Sequence, residues 1–299
     1  MSRTGRRSTE TSWRALLCLW AVVAWPATPV ASGLDIPFVL TRPAGDGPFP
    51  AAIILHDCSG LGPRSSGSPW RWSSQLAARG FVTIWPDSFT TRGRPGGVCT
   101  VASGPRITFQ RRAADAYAAL GYLRTLPHVD ATRVAVMGGS HGGSTALAAI
   151  ADTAVNAKQS DRFAAAVALY PACGWSIAGW SVERAKDAGH RIVDYSGAFK
   201  PLAPLLILIG EADDWTPADP CRRLAAASRQ AGHPVDIVVY PGAHHSFDSP
   251  APLRFNPDRR NINSPSGRGA TTAGQKEAWA DAVTRVTDFL ERHLKTRTP

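Results

Sequence analysis

The segment Val134-Ala135-Val136-Met137-Gly138-Gly139-Ser140-His141-Gly142 constrains this chain more than any other. Its four leading residues are apolar and read as a buried strand, and small residues from His141 to Ala151 read as a helix. Between them stands a G-x-S-x-G pattern. A serine there occupies a tight strand-to-helix turn with a strained backbone, and small residues at 138 and 142 keep the turn clear of the sheet and the helix. The turn lifts the hydroxyl above the sheet edge, where the helix N-terminus favours developing negative charge. A glycine-rich turn with an incidental serine would carry the same letters, so the motif needs partners.

The rest of the chain supplies a matching framework. Short, mostly continuous apolar runs lie at Leu34–Thr41, Ala51–His56, Phe81–Pro86, Arg133–Gly138, Phe163–Tyr170, Pro204–Ile209 and Val235–Tyr240. Continuous runs are expected where both faces of a sheet are covered. Helical patterns fall between them at Trp72–Arg79, Thr108–Thr125, His141–Ala151, Pro220–Ala231 and Ala273–Leu294. In the second of these, Ala114, Tyr117, Ala118, Leu120 and Leu123 follow a helical pattern. Strands alternating with helices predict an α/β fold with a doubly wound, mostly parallel sheet and sites at the carboxyl ends of the strands. Two stretches, Ala172–Lys200 and Asp248–Ala273, exceed what a connector needs. Each reads equally as a lid or as a surface excursion.

Two further clusters follow strands. Gly210-Glu211-Ala212-Asp213-Asp214 ends one run, and Pro241-Gly242-Ala243-His244-His245 ends another. Serine, aspartate and histidine thus come in that order at one edge of the sheet. A hydroxyl needs a base to become a nucleophile, an imidazole suits that task near neutral pH, and a carboxylate fixes the imidazole tautomer. From the residues alone, either member of Asp213/Asp214 and of His244/His245 fits. Backbone donors for an oxyanion are expected at the N–H of His141 and in His56-Asp57-Cys58-Ser59-Gly60, with Cys58 favoured.

Composition excludes several alternatives. The formal charge is +10, of which about +7 lies outside residues 1–32, and no dense basic run is present, so nucleic-acid binding has little support. No His/Cys cluster has zinc spacing, and neither a metal nor a cofactor is expected. Arg3, Arg6, Arg7 and Arg14 precede an apolar run from Ala15 to Trp25, with Val30 and Ser32 placed for cleavage before Gly33. Residues 1–32 therefore read as a secretory signal peptide and 33–299 as one domain, secreted or periplasmic; an uncleaved anchor is the alternative. Beyond Cys18, the even number Cys58, Cys99, Cys173 and Cys221 suits disulfides in an exported protein.

With these segments in place the chain resembles the dienelactone hydrolase family of α/β-hydrolases. The resemblance rests on LHDCSGL (55–61), WPDSFTTRG (85–93), RRAADAYAALGYL (111–123), VMGGSHGG (136–143), LIGEADDWTP (208–217) and YPGAHHSFD (240–248), in the family's order. It implies Ser140 as nucleophile, Asp213 as acid in G-x-x-D-x-x-x-P, His245 as the base before Ser-Phe, and Cys58 as the second hole donor. Two departures bear on substrate: the namesake enzymes carry Cys where Ser140 stands, and an Arg where this chain has Ser249. Both oppose dienelactone. Arg92 lies near another carboxylate-binding position of the family, and a structural ion pair is its plainer reading. In the implied fold the strands before Cys58 and Cys99 are neighbours, as are those before Cys173 and Cys221. The pairs Cys58–Cys99 and Cys173–Cys221 are therefore expected.

Trp70, Trp72, Trp175, Trp180 and Trp215 lie near strand ends, with Trp175 and Trp215 the candidates for substrate contact and core packing the alternative. The expected activity is hydrolysis of a small-molecule or polymer-derived carboxylic ester through an acyl-enzyme. A serine peptidase of the same fold and a non-catalytic binding protein are the competing readings. Oligomeric state is open.

Overall fold

The computed structural model describes residues 36–102, 104, 107–153, 155–185 and 191–294. The expected signal peptide at 1–32 and the start of the strand expected from Leu34 lie outside the described residues.

In chain order the strands are β1 (Phe38–Thr41), β2 (Phe49–Leu55), β3 (Val82–Pro86), β4 (Val129–Gly139), β5 (Ala165–Leu169), β6 (Trp180–Arg184), β7 (Ile192–Gly197), β8 (Leu205–Gly210), β9 (Val235–Tyr240), β10 (Arg254–Arg260) and β11 (Arg268–Thr272). The helices are α1 (Ser68–Ala77), α2 (Phe109–Arg124), α3 (His141–Ile150), α4 (Ala218–Gln230) and α5 (Lys276–Leu294). Seven strands form one sheet in the order β1-β3-β2-β4-β5-β8-β9. Every neighbouring pair is parallel except β1 with β3. These seven strands are the seven apolar runs of the sequence.

Every residue of β5 (AAVAL) and of β8 (LLILIG) is buried, which requires cover on both faces of the sheet. On one side α1 and α5 meet through Trp72 and Trp279, whose rings stand 4.7 Å apart edge to face. Helices α2 and α3 pack together, with the Tyr117 hydroxyl donating to Ala149 O at 2.9 Å. The chain runs from β2 outward to β3 and then crosses back to β4 on the other side of β2. The order of the sheet therefore reverses between β2 and β4, and the loops leaving their carboxyl ends diverge to leave a crevice. Cys58 follows β2 and Ser140 follows β4, so both stand at its mouth.

Two features differ from the pattern read in the sequence. Each long connector holds an antiparallel hairpin, β6–β7 in the first and β10–β11 in the second. The buried side of α2 is also turned from the expected one: Ala114 and Ala118 are exposed, while Arg112 and Asp115 are buried. Charged residues on a helix ordinarily mark its solvent side, and here both have partners distant in sequence, Arg92 for Asp115 and His56 and His141 for Arg112, that spacing does not reveal. No helix among the described residues is long and apolar enough to cross a membrane.

Candidate active site

Ser140 takes φ 55° and ψ −118°, a backbone region costly for a residue with a Cβ. The surroundings hold it there. Its N–H donates to Leu169 O on β5 at 2.9 Å, and its carbonyl accepts the first turn of α3 from Ser144 N at 2.9 Å. The flanking glycines are steric requirements. A Cβ on Gly142 would lie 2.0 Å from Leu55 O, and one on Gly138 would lie 2.6 Å from both Leu55 O and Gly142 C. The elbow sits against the backbone of β2 with no room for a methyl group.

His245 stands on the loop after β9, its ring buried. Its Nε2 is 2.9 Å from Ser140 Oγ and its Nδ1 is 2.8 Å from Asp213 Oδ2. Asp213, after β8, is fully engaged. Oδ1 accepts from the backbone N–H of Trp215 at 2.9 Å and of Thr216 at 2.8 Å, which leaves Oδ2 to face the imidazole. Because Oδ2 accepts only, the Nδ1 proton points at it, and Nε2 presents a lone pair to the serine hydroxyl. Thr216 Oγ1 completes the cluster, 2.9 Å from Asp213 Oδ2, 3.0 Å from His245 Nδ1 and 3.1 Å from Tyr170 O.

The doubled residues separate cleanly. Asp214 turns outward to β11, accepting from Thr271 N at 2.8 Å and Thr271 Oγ1 at 2.7 Å. It ties the β10–β11 hairpin to the loop that carries Asp213. The bonds to Ser140 and Asp213 are made by His245, and the buried Nδ1 of His244 has no hydrogen-bond partner among the described residues.

Ser140 opens into a cavity of about 610 Å³, lined in part by Cys58, His141, Phe109, Trp175, Trp215 and the 261–267 turn of the β10–β11 hairpin. The turn is anchored over the site. Asn261 Nδ2 donates to Asp214 O at 2.9 Å, Asn263 Nδ2 to Trp215 O at 2.9 Å, and Trp215 Nε1 to Arg260 O at 2.7 Å. Cys58 is disulfide-bonded to Cys99 and Cys173 to Cys221, with Cα separations of 4.9 and 5.0 Å. The first bond pins the loop after β2 to the Val98–Cys99 segment, which lines the same cavity. The second joins the loop after β5 to the start of α4, directly behind the loop of Asp213.

The sequence pattern of the dienelactone hydrolase family matches residues 36–294. The chain belongs to the dienelactone hydrolase family. It is 28% identical over 227 residues to a protein of Methylorubrum extorquens provisionally named carboxymethylenebutenolidase, covering 73% of this chain and 70% of that one. It is 27% identical over 254 residues to acylamino-acid-releasing enzyme 2 of Oryza sativa, where the match takes in 75% of this chain but only 31% of the longer protein. Among solved structures, esterase 2 of Thermogutta terrifontis, phosphonylated by cyclosarin, superposes with a TM-score of 0.59 at 20% identity, over 89% of this chain and 94% of that one. That likeness carries the α/β-hydrolase fold. The family assignment makes the chain a hydrolase.

Within this dienelactone hydrolase family member, Ser140, Cys58, His141, Trp175 and Trp215 line one cavity, with His245 and Asp213 buried and linked to it through Ser140. Arg92 does not: it is absent from the cavity lining, which corrects its candidacy for substrate binding in favour of the ion pair that was its plainer reading. Its guanidinium is taken by both carboxylate oxygens of Asp115, at 2.7 and 2.6 Å, and by Ser88 O at 2.6 Å. Its charge is paired with Asp115. Trp72 and Trp180 are buried and donate to Asp248 Oδ2 and Cys173 O, and Trp70 is an exposed residue of α1 outside the cavity lining.

Several residues of the site carry no sequence signal of their own. Tyr170, at φ 38°, packs its ring edge 4.7 Å from His245 and donates its hydroxyl to Asp248 Oδ1 at 2.8 Å. Ser68 Oγ and Trp72 Nε1, both at 2.9 Å, saturate Asp248 Oδ2. A buried carboxylate thus fixes the loop that follows His245, and burial together with this neighbouring charge raises the Tyr170 phenol well above its usual value. The nearest hint was the Asp ending YPGAHHSFD, read there only as part of the motif.

Proposed function

We propose that the chain is an exported serine hydrolase that cleaves carboxylic esters through an acyl-enzyme intermediate. The observation that carries the reading is the continuous hydrogen-bond chain from Ser140 Oγ through His245 to Asp213 Oδ2, at 2.9 and 2.8 Å, on a strained elbow facing a cavity. His245 Nε2 takes the hydroxyl proton as Ser140 Oγ attacks the ester carbonyl. The N–H groups of His141 and Cys58 receive the oxyanion, and the imidazolium, paired with Asp213, returns the proton to the leaving alcohol. Water then attacks the acyl-Ser140 ester by the same path in reverse. No metal or cofactor enters these steps.

The substrate is a neutral or mixed ester rather than dienelactone. The nucleophile is a serine, the family's Arg after the histidine is replaced by Ser249, and Arg92 is occupied by Asp115. Trp175 and Trp215 offer flat faces, and the polar 261–267 turn offers amide and hydroxyl groups, a combination suited to aromatic or sugar-linked esters. The two disulfides favour export, where thiols oxidise. Likeness to an acylamino-acid-releasing enzyme keeps amide cleavage as the second reading.

Labelling with an active-site phosphonate tests the proposal, and the phosphonylated esterase supplies a structural precedent for the adduct. Wild type is expected to gain one phosphonyl group on Ser140 and to hydrolyse p-nitrophenyl and aryl esters faster than the matching anilides. Ser140→Ala should do neither. Ser140→Ala turnover within about tenfold of wild type, 1.4 kcal/mol of barrier, would remove Ser140 as nucleophile.

A further inference from the structure

Arg112, on α2, has a side chain that is fully buried and that the proton-transfer chain does not use. Its Nη1 donates to His141 Nδ1 at 2.8 Å, and its Nη2 donates to His56 O at 2.7 Å. His141 is the residue after the nucleophile, and His56 lies two residues before Cys58. One guanidinium therefore touches both segments that carry the oxyanion donors. Those segments leave the paired strands β4 and β2, whose register ends at Gly138 and Leu55, and both donor residues lie beyond the last paired position.

The surroundings hold this bridge in a single arrangement. The guanidinium stands over the Phe89 ring, 4.9 Å from its centroid. The Phe89 ring meets His56 at 4.4 Å and His141 at 5.7 Å, both edge to face, while Phe109 meets His141 at 4.7 Å. Both imidazoles are neutral with assigned protons. His141 Nδ1 accepts from Arg112, so its proton is on Nε2. His56 Nε2 accepts from Ser88 N at 3.2 Å, so its Nδ1 carries the proton and donates to Asp57 O at 2.8 Å. Burial first, and the Arg112 charge second, push both histidines well below their usual value. Arg112 itself is lowered by burial to about 9 and stays charged at neutral pH.

A buried cation is a poor device for stability alone, because packed apolar side chains often do as well or better. Nor is this one fully satisfied: its Nε has no hydrogen-bond partner among the described residues, and Asp115, a carboxylate whose charge acts on it, is bound bidentately by Arg92. An oxyanion hole, by contrast, works only when its donors are fixed before charge develops.

We propose that Arg112 is a positioning residue of the oxyanion hole, fixing the spacing of its two donor segments through His141 Nδ1 and His56 O and holding a positive charge one side chain away from the developing oxyanion. The inference rests on the proposed acyl-enzyme reading.

The test compares Arg112→Lys, Arg112→Met and His141→Phe with wild type, using a p-nitrophenyl ester and a trifluoromethyl ketone. Ser140 Oγ adds to the ketone carbonyl, its proton passes to His245, and the resulting alkoxide occupies the hole. His141→Phe keeps a ring against Phe89 and Phe109 and the backbone N–H, but removes the acceptor. Misplacing catalytic groups by about 1 Å costs on the order of 100-fold. The expected result is a 10- to 100-fold loss of kcat with KM within threefold of wild type, and a ketone Ki that rises by the same factor as kcat/KM falls. Any variant that folds by circular dichroism with kcat within threefold of wild type overturns the proposal. So does a loss confined to melting temperature or KM, or a ketone Ki that does not follow kcat/KM. Should Arg112→Met fail to fold, His141→Phe and Arg112→Lys decide by the same criteria. Ser140→Ala, run alongside, separates the two readings: full activity there refutes the acyl-enzyme, whereas an inactive Ser140→Ala with unimpaired Arg112 variants refutes only the role of Arg112.

Discussion

Replacing Asp213 by Asn changes one atom and should invert the proton chain of the site. The amide oxygen will keep the position of Oδ1, because two backbone N–H groups, from Trp215 and Thr216, donate there at 2.9 and 2.8 Å. The amide NH₂ then occupies the place of Oδ2, 2.8 Å from His245 Nδ1. A donor now faces Nδ1, so the imidazole shifts its proton to Nε2. That proton points at Ser140 Oγ, and the base has lost the lone pair it needs. The wrong tautomer in a serine triad costs about 10⁴ in kcat, or roughly 5.4 kcal/mol of barrier at 1.36 kcal/mol per decade. Asp214→Asn is the internal control. Its carboxylate is exposed and, among the described residues, accepts from Thr271 alone, so its loss should change kcat less than about threefold and stability by no more than about 1 kcal/mol. Burst and steady-state release of p-nitrophenol, with melting curves for both proteins, measure the two effects. Asp213→Asn activity within tenfold of wild type, or greater damage at 214 than at 213, would refute the assignment of the acid.

Removing the Cys58–Cys99 or Cys173–Cys221 bond by paired Ser substitutions should cost about 4 kcal/mol each, since the closed loops span 41 and 48 residues. Loss of the first should also lower kcat by loosening the Cys58 loop; four alkylatable thiols in the native protein, or a Cys58–Cys173 peptide, would contradict the pairing. Stability should also fall with acid. Folded His56 and His141 stay neutral, while unfolded they protonate near 6.5, so below that pH the unfolded state binds up to two more protons and folding weakens by up to about 2.7 kcal/mol per pH unit. Urea unfolding between pH 7 and 5.5 measures this, and a flat profile would mean that these two rings are protonated in the folded state.

Local chemistry in the sequence was enough to specify the framework. Strands buried on both faces must be continuous apolar runs, so all seven sheet strands were legible, as was the elbow, whose glycines answer a clash with Leu55 O that any side chain would make. The order of Ser, Asp and His after strands was legible for the same reason: motifs that follow parallel strands share an edge. The choice of Asp213 over Asp214 and of His245 over His244 came only from resemblance, because adjacent residues differ in direction, and direction is set by what stands opposite, here Trp215 N and Thr216 N against Thr271. Tertiary structure alone named Asp115 as the partner in the ion pair that the sequence favoured for Arg92, and brought the 261–267 turn over the cavity. It alone put Arg112 and Asp248 inside the protein. A buried charged side chain depends on partners distant in sequence, Tyr170, Ser68 and Trp72 for Asp248, His141 and His56 for Arg112, and such partnerships leave no periodic trace in the chain.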